Sequence, residues 1–326
     1  MKRNLAGLSD PLRVKGLTLK CRIVMAPVAT DFATEAGVVT ERLIEHYVRR
    51  AEALGLLIVE HSYILPQGRL SQRQLGLYDD SLISGLEKLT QSVQAMDTPI
   101  VAQITHAGSQ TSEKTIGMPP VGPSASRGVH ELQVSEIEDL CFAFAAAAER
   151  AIRAGFDGVE IHGAHGFLLN QFYSPLTNKR RDEYGGSLEN RMRFPLEVVE
   201  RVRAAVGEKI LSYRLGADDM DRAGTGIEDS KIFAARLQEA GVDILDVSGG
   251  LCGSSPEKLK RVQGYFMGQA RQIREVVDIP VVGVGGITDP YYADRFVREG
   301  AADLIAVGRA LLKDPKWAIK ALHILE

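Results

Sequence analysis

The segment VVGVGGITDPYYADRFVREGAADLIAVGRALL, residues 281–312, shows the unit from which the whole chain is built. It begins with a short apolar, β-branched run, VVGVG (281–285), and turns through a glycine pair. A helix starts at Asp289-Pro290, a second apolar run follows, LIAVG (304–308), and Gly308-Arg309 opens another helix. Aspartate is a good N-cap, and proline suits the first helical position, where its missing N–H has no intrahelical partner to lose. Two strands joined by a crossover of helix length lie parallel.

Working outward, the same unit recurs. Further strand candidates are RIVMAPV (22–28), LLIVE (56–60), IVAQIT (100–105), GVEIH (158–162), ILSYRL (210–215) and ILDVS (244–248), which with the two above make eight. Helical patterns separate them. Ser135 and Glu138 have capping-box spacing before LCFAFAAAAERAIRA, with Gly155 as its stop, and SKIFAARLQEA (230–240) ends at Gly241. Eight continuously apolar strands alternating with helices call for a parallel sheet covered by helices, and eight strands close a (β/α)8 TIM barrel. A doubly wound open sheet is the rival, but no GxGxxG follows the first strand. No linker divides the chain, so residues 1–326 read as one barrel domain, with LRVKGLTLK (12–20) as a hairpin capping its floor.

Composition narrows the function classes. The chain has 326 residues, 45% hydrophobic and 25% charged, with a net charge of −3 and dispersed basic residues. There is no electrostatic footprint for nucleic acid or an anionic membrane. Cys21, Cys141 and Cys252 lie far apart, which argues against a disulfide framework, a zinc knuckle or a cysteine-ligated cluster. The N-terminal MKRNLAGLSDPLRVKG lacks an apolar signal region, and no run approaches the roughly 18 apolar residues of a membrane span. A soluble, cytoplasmic protein acting on a small molecule is the expectation.

In a (β/α)8 barrel the chemistry gathers at the C-terminal ends of the strands. Strand 2 ends in Glu60-His61, strand 3 carries Gln103 and leads to His106, strand 4 ends in His162 with His165 beyond, and strand 5 carries Arg214. Four of the seven histidines are thus expected on one face. Gly285 and Gly286 after strand 7, with Gly308-Arg309 after strand 8, match the usual phosphate site of the fold, where backbone N–H groups and a fixed cation receive an anion. A phosphorylated ligand is implied. Arg214 needs an anionic partner, because an unpaired buried charge is expensive. If the ligand were a flavin, Arg214 could stabilise the charge of its reduced ring, and the Gln103 amide could pair with its uracil-like edge.

The stretch HGAHGFLLNQFYSPLTNKRRDEYGGSLENRMRFPLEVV (162–199) closely resembles the signature of the old yellow enzyme family of FMN-dependent oxidoreductases. RIVMAP (22–27), LPQGR (65–69), QITHAG (103–108) and GRALLKDP (308–315) resemble it too, so the similarity covers essentially the whole chain. The resemblance implies a (β/α)8 barrel whose FMN is reduced by NADH or NADPH and passes hydride to an activated alkene. It assigns Ala26, Pro27, Val28 and Ala29 to the flavin edge, Gln103 to the pyrimidine and Arg214 to N1 and the C2 carbonyl. Gly285, Gly286, Gly308 and Arg309 fall to the phosphate, and His162 and His165 to the substrate oxygen. It also implies a homo-oligomer.

Three positions depart from the family pattern. Phe167 stands where a tyrosine usually donates the proton to the α-carbon, leaving Tyr63, Asp31 and Tyr265 as loop residues within possible reach. Ala29 stands where one branch has cysteine and another threonine, and Ser109 replaces the frequent arginine of HAGR. A related dehydrogenase or demethylase-like enzyme, oxidising its substrate, would need the proton donor less. Outside the family, a metal-dependent TIM-barrel hydrolase could use clustered histidines, but strand 1 has no HxH and neighbouring carboxylates are few.

Overall fold

The computed structural model describes residues 6–325; the opening MKRNL of the stretch read above for a targeting signal and residue 326 lie outside the described residues. The apolar runs form eight parallel strands: β1 (Ile23–Met25), β2 (Leu56–Tyr63), β3 (Ile100–Thr105), β4 (Gly158–Gly163), β5 (Ile210–Gly216), β6 (Ile244–Ser248), β7 (Val281–Gly283) and β8 (Leu304–Val307). Each pairs with its successor and β8 closes on β1, completing a barrel. The expected (β/α)8 architecture is therefore what the chain adopts.

The outer ring is α1 (Glu41–Ala51), α2 (Ile83–Gln94), α3 (Val134–Arg153), α4 (Leu188–Val206), α5 (Ile227–Glu239), α6 (Met267–Arg274), α7 (Pro290–Arg298) and α8 (Trp317–Leu325). Asp289 caps α7 through its side chain with Pro290 at the first helical position, as expected. Gly155 and Gly241 follow α3 and α5 with φ of 84° and 96°, the left-handed conformation that glycine takes without a Cβ penalty. Two helix starts differ from the sequence reading. α3 begins before Ser135: Gln133 is its N-cap, and the Glu136 carboxylate reaches back to the Gln133 N–H at 2.7 Å, so the capping box is shifted by two residues. α5 begins at Ile227, three residues earlier than the apolar pattern suggested.

Period-two alternation along the strands sorts side chains between two cores. Outward residues such as Ile23, Val159, Leu211 and Leu245 pack under the helices. Inward residues Val24, Leu56, Ile58, Val101, Ile210, Ile244, Val282 and Leu304 fill the lower barrel. The hairpin Leu12–Val14 with Leu17–Leu19 adds Val14 and Leu19 to that inner cluster, plugging the floor as anticipated. Above this apolar plug the same inward series turns polar: Gln103, Glu160, Ser212 and Asp246 in one layer, then His162, Arg214 and Ser248. Strand register brings these into cross-strand neighbourhood, pairing Gln103 with Glu160, Glu160 with Ser212, and Asp246 with Arg214.

β2 breaks the alternation. Its register against β3 shifts between Val59 and Ser62, a bulge that adds one residue to the strand. Leu56 and Ile58 face in, so strict alternation would send Glu60 inward and His61 outward. The bulge reverses them. Glu60 turns outward to accept hydrogen bonds from Thr30 Oγ1 at 2.6 Å and from the α1 hydroxyl of Tyr47 at 3.2 Å. His61 turns into the barrel mouth.

Candidate active site

A cavity of about 620 Å³ opens at the C-terminal end of the barrel. Its walls include Ala26, Pro27, Val28 and Ala29 after β1, Gln103, His162, His165, Phe167 and Arg214, and then Tyr265, Gly286, Gly308 and Arg309. These residues come from seven separate places in the chain and meet only because the barrel brings its strand ends together. Seven contributors escaped the sequence reading as cavity residues: Ser254, Ser255 and Lys260 on the loop after β6, Val284, Ile287 and Thr288 after β7, and Ala306 on β8. An irregular loop carries no periodic signal that would mark its residues, and a strand's apolar pattern does not mark which of its residues reach the cavity.

Four candidate residues fall elsewhere. Tyr63 is buried against Tyr78, with ring centroids 5.1 Å apart, and Asp31 accepts from the Ser71 hydroxyl; neither lines the cavity. Gly285 supports a loop crossing: its carbonyl accepts from Gly264 N–H at 2.6 Å, and a Cβ there would lie 2.6 Å from Tyr265 N. His106, expected with the other histidines, faces a separate cleft with Leu65 and Leu132, so three imidazoles converge instead of four. The chain turns at Ala107, and His106 accepts from Gly108 N–H at 3.1 Å.

The floor is a buried charge network. Arg214 Nη1 lies 3.2 Å from Asp246 Oδ2, both groups almost fully enclosed. Among the described residues neither Asp246 oxygen has an aligned hydrogen-bond partner, and Arg214 Nε is also sealed without one. Glu160 accepts from Gln103 Nε2 at 2.8 Å and sits 2.9 Å from Ser212 Oγ. Burial, reinforced by Asp246 beside it, pushes the Glu160 carboxyl up to about 8. Burial also raises Asp246, against the pull of Arg214. With Glu160 protonated, one guanidinium balances one carboxylate beneath the cavity.

The imidazoles are held neutral. Burial, with Arg214 and neighbouring rings adding repulsion, lowers His162 and His165 well below the ordinary histidine range. His162 Nδ1 accepts from Ala164 N–H at 3.4 Å, which leaves its proton on Nε2. His165 has φ of 59° and its Nε2 is 2.8 Å from Ser248 Oγ. The Phe167 ring packs on His162 at 4.6 Å and on His61 at 5.3 Å between centroids. Among the described residues no group of three His, Cys, Asp or Glu side chains is arranged to hold a metal ion.

The donor set fits a phosphorylated flavin. Gln103 spends one amide N–H on Glu160 and keeps its oxygen and second N–H, the complement of a uracil-like edge. Arg309 bonds to Ser255 Oγ at 3.1 Å and to the Tyr265 hydroxyl at 2.9 Å, and has no carboxylate partner among the described residues. At Gly286, φ is 64° and a Cβ would approach Arg309 Nη2 to 3.1 Å, so a side chain would narrow the space beside that cation. An open, fixed cation next to glycine backbone is a receptor for an anion.

Comparison with known proteins agrees. The family model for the NADH:flavin oxidoreductase / NADH oxidase family matches residues 7–326. The chain is 44% identical to the NADH oxidase of Thermoanaerobacter brockii over 95% of its own length, and spans half the length of that relative. It is 42% identical to the NADPH dehydrogenase of Bacillus licheniformis, covering 95% of this chain and 92% of the relative. The old yellow enzyme homologue from Zymomonas mobilis superposes with a TM-score of 0.87 at 30% identity, over 98% of this chain and 94% of that one. No helix among the described residues is long and apolar enough to cross a membrane. By its signature, its barrel and these likenesses, the chain belongs to the NADH:flavin oxidoreductase / NADH oxidase family and is an FMN-dependent oxidoreductase of the old yellow enzyme type.

Proposed function

We propose that the protein uses NADH or NADPH to reduce the C=C bond of α,β-unsaturated carbonyl and related small molecules, with FMN bound in the cavity described above. The observation that carries this reading is the neutral His162, its Nε2–H without a hydrogen-bond partner among the described residues, on the same cavity as Arg214 and the open cation Arg309. When FMN is bound, its chemistry is that of a two-electron hydride relay between nicotinamide and alkene. Overall, NAD(P)H, one proton and the alkene give NAD(P)+ and the saturated compound.

In this proposal Gln103 receives the pyrimidine edge and Arg214 the negative charge that gathers there on reduction. Gly286, Gly308, Arg309 and Ser255 receive the phosphate, and Ala26, Pro27, Val28 and Ala29 form an apolar wall. His162 and His165 hold the substrate oxygen. As hydride reaches the β-carbon, charge grows on that oxygen, and fixed N–H donors in a dry site stabilise it without reorganising. Because the rings are neutral, they donate hydrogen bonds without releasing a proton.

The α-carbon proton needs another source. Phe167 has none to give, and the Tyr265 hydroxyl donates to Ser254 O at 2.7 Å while accepting from Arg309. Water entering the open mouth supplies it. The test is anaerobic: NADH or NADPH should bleach the yellow protein, and cyclohexenone should restore the colour. A colourless protein, or a bleached one that no alkene reoxidises, would count against the proposal. Phe167→Tyr should quicken alkene-driven reoxidation severalfold, since a positioned acid replaces solvent. An unchanged rate there, with faster flavin reduction by saturated ketones, would instead favour an enzyme that oxidises its substrate.

A further inference from the structure

The geometry points to His61 as a second hydrogen-bond anchor for the substrate, one that favours activated alkenes carrying acceptor groups on both sides of the double bond. This rests on the alkene-reductase reading of the same cavity. His61 enters the cavity only through the β2 bulge, and it is held there by Gln74, itself almost fully buried.

The Gln74 amide can take one orientation. Its Oε1 accepts from Leu70 N–H at 2.6 Å, and its Nε2 donates to the His61 carbonyl at 2.9 Å and meets His61 Nδ1 at 2.7 Å. Flipping the amide would set donor against donor at Leu70 and oxygen against oxygen at His61. The two amide hydrogens are therefore both directed at His61, one to its carbonyl and one to Nδ1. An acceptor at Nδ1 places the ring proton on Nε2. The Nδ1 edge faces Gln74, so the edge left to the cavity is the one carrying Nε2–H, for which the described residues provide no acceptor.

His162 presents the same atom by the same device, with its Nδ1 tied to Ala164 N–H. The two rings have centroids 6.3 Å apart, and Phe167 packs against both. Two neutral N–H donors flanking an apolar ring match two carbonyl oxygens flanking one C=C, as in a cyclic 2-ene-1,4-dicarbonyl. A second carbonyl also draws electron density from the alkene, easing hydride arrival where Phe167 has no proton to lend. The electron pair comes from NAD(P)H and the proton from water, as in the parent reaction.

The test compares binding without turnover. Succinimide, with two carbonyls, and cyclohexanone, with one, are titrated into the oxidised yellow protein and followed by the visible spectrum. His61→Leu should raise the ratio of the succinimide Kd to the cyclohexanone Kd about tenfold, the worth of one good hydrogen bond. Gln74→Glu offers acceptors only, which moves the ring proton to Nδ1 and leaves a lone pair on the cavity; the same ratio should rise while the flavin spectrum before titration stays that of the unaltered protein. A ratio unchanged in both variants would overturn the assignment. Retained reoxidation by cyclohexenone in the unaltered protein separates that result from failure of the alkene-reductase reading.

Discussion

Arg214→Met should destabilise the protein by about 3–5 kcal/mol in urea unfolding, because it leaves the fully buried Asp246 carboxylate without its cation. The double variant Arg214→Met/Asp246→Asn should recover much of that loss, since the second change removes the stranded charge. Equal losses in the single and double variants would mean that the pair is not coupled. The single variant should also suffer less at pH 5 than at pH 8, because an unpaired Asp246 escapes its penalty by binding a proton.

The same network gives the unaltered protein a defined pH dependence. Glu160 is raised from 4.5 to about 8, so the folded state holds more protons than the unfolded one in that interval and stability falls as pH rises through it. His61 and His106 are lowered from 6.5 to about 4, so the folded state holds fewer protons there and stability falls as pH drops from 6.5 to 4. These opposed limbs place the maximum between them, with stability falling toward both acid and alkaline pH. Glu160→Gln should make the alkaline limb shallower, leaving the part contributed by Glu60, which burial raises to about 7, and should leave the acid limb.

His162→Leu should slow alkene-driven reoxidation by about 10²–10³-fold, the usual cost of removing one preorganised donor from an oxyanion site. Rapid mixing of the reduced protein with cyclohexenone isolates that half-reaction. The bleaching by NAD(P)H should fall much less, because the donor acts on charge that develops on the alkene's oxygen. His162→Asn, which keeps an N–H donor, should recover part of the rate. A loss shared equally by both half-reactions would indicate that His162 shapes the cavity or holds the cofactor and does not polarise the substrate.

Much of the barrel was legible because its strands are buried on both faces and therefore continuously apolar. ILDVS and IVAQIT match β6 and β3 residue for residue. Helix starts were less legible: Ser135 is a better intrinsic cap than Gln133, yet Glu136 reaches back to Gln133 and moves the boundary. The flavin-side residues were found through strand-end position and the family signature. The carboxyls of Glu160 and Asp246 were missed as a unit, although a lone acid inside GVEIH and another inside ILDVS were visible signs of buried charge.

Sequence alone determined the eight-stranded parallel barrel, the floor hairpin and the face on which chemistry gathers, since each follows from local pattern and from the geometry of closing a sheet. It could not determine which strand-end histidines share the cavity. His106 leaves at a chain turn, and His61 enters because a single-residue bulge in β2 exchanges its direction with that of Glu60. Alternation is a local rule, whereas a bulge is imposed by pairing with a neighbouring strand. That pairing exists only in the folded protein.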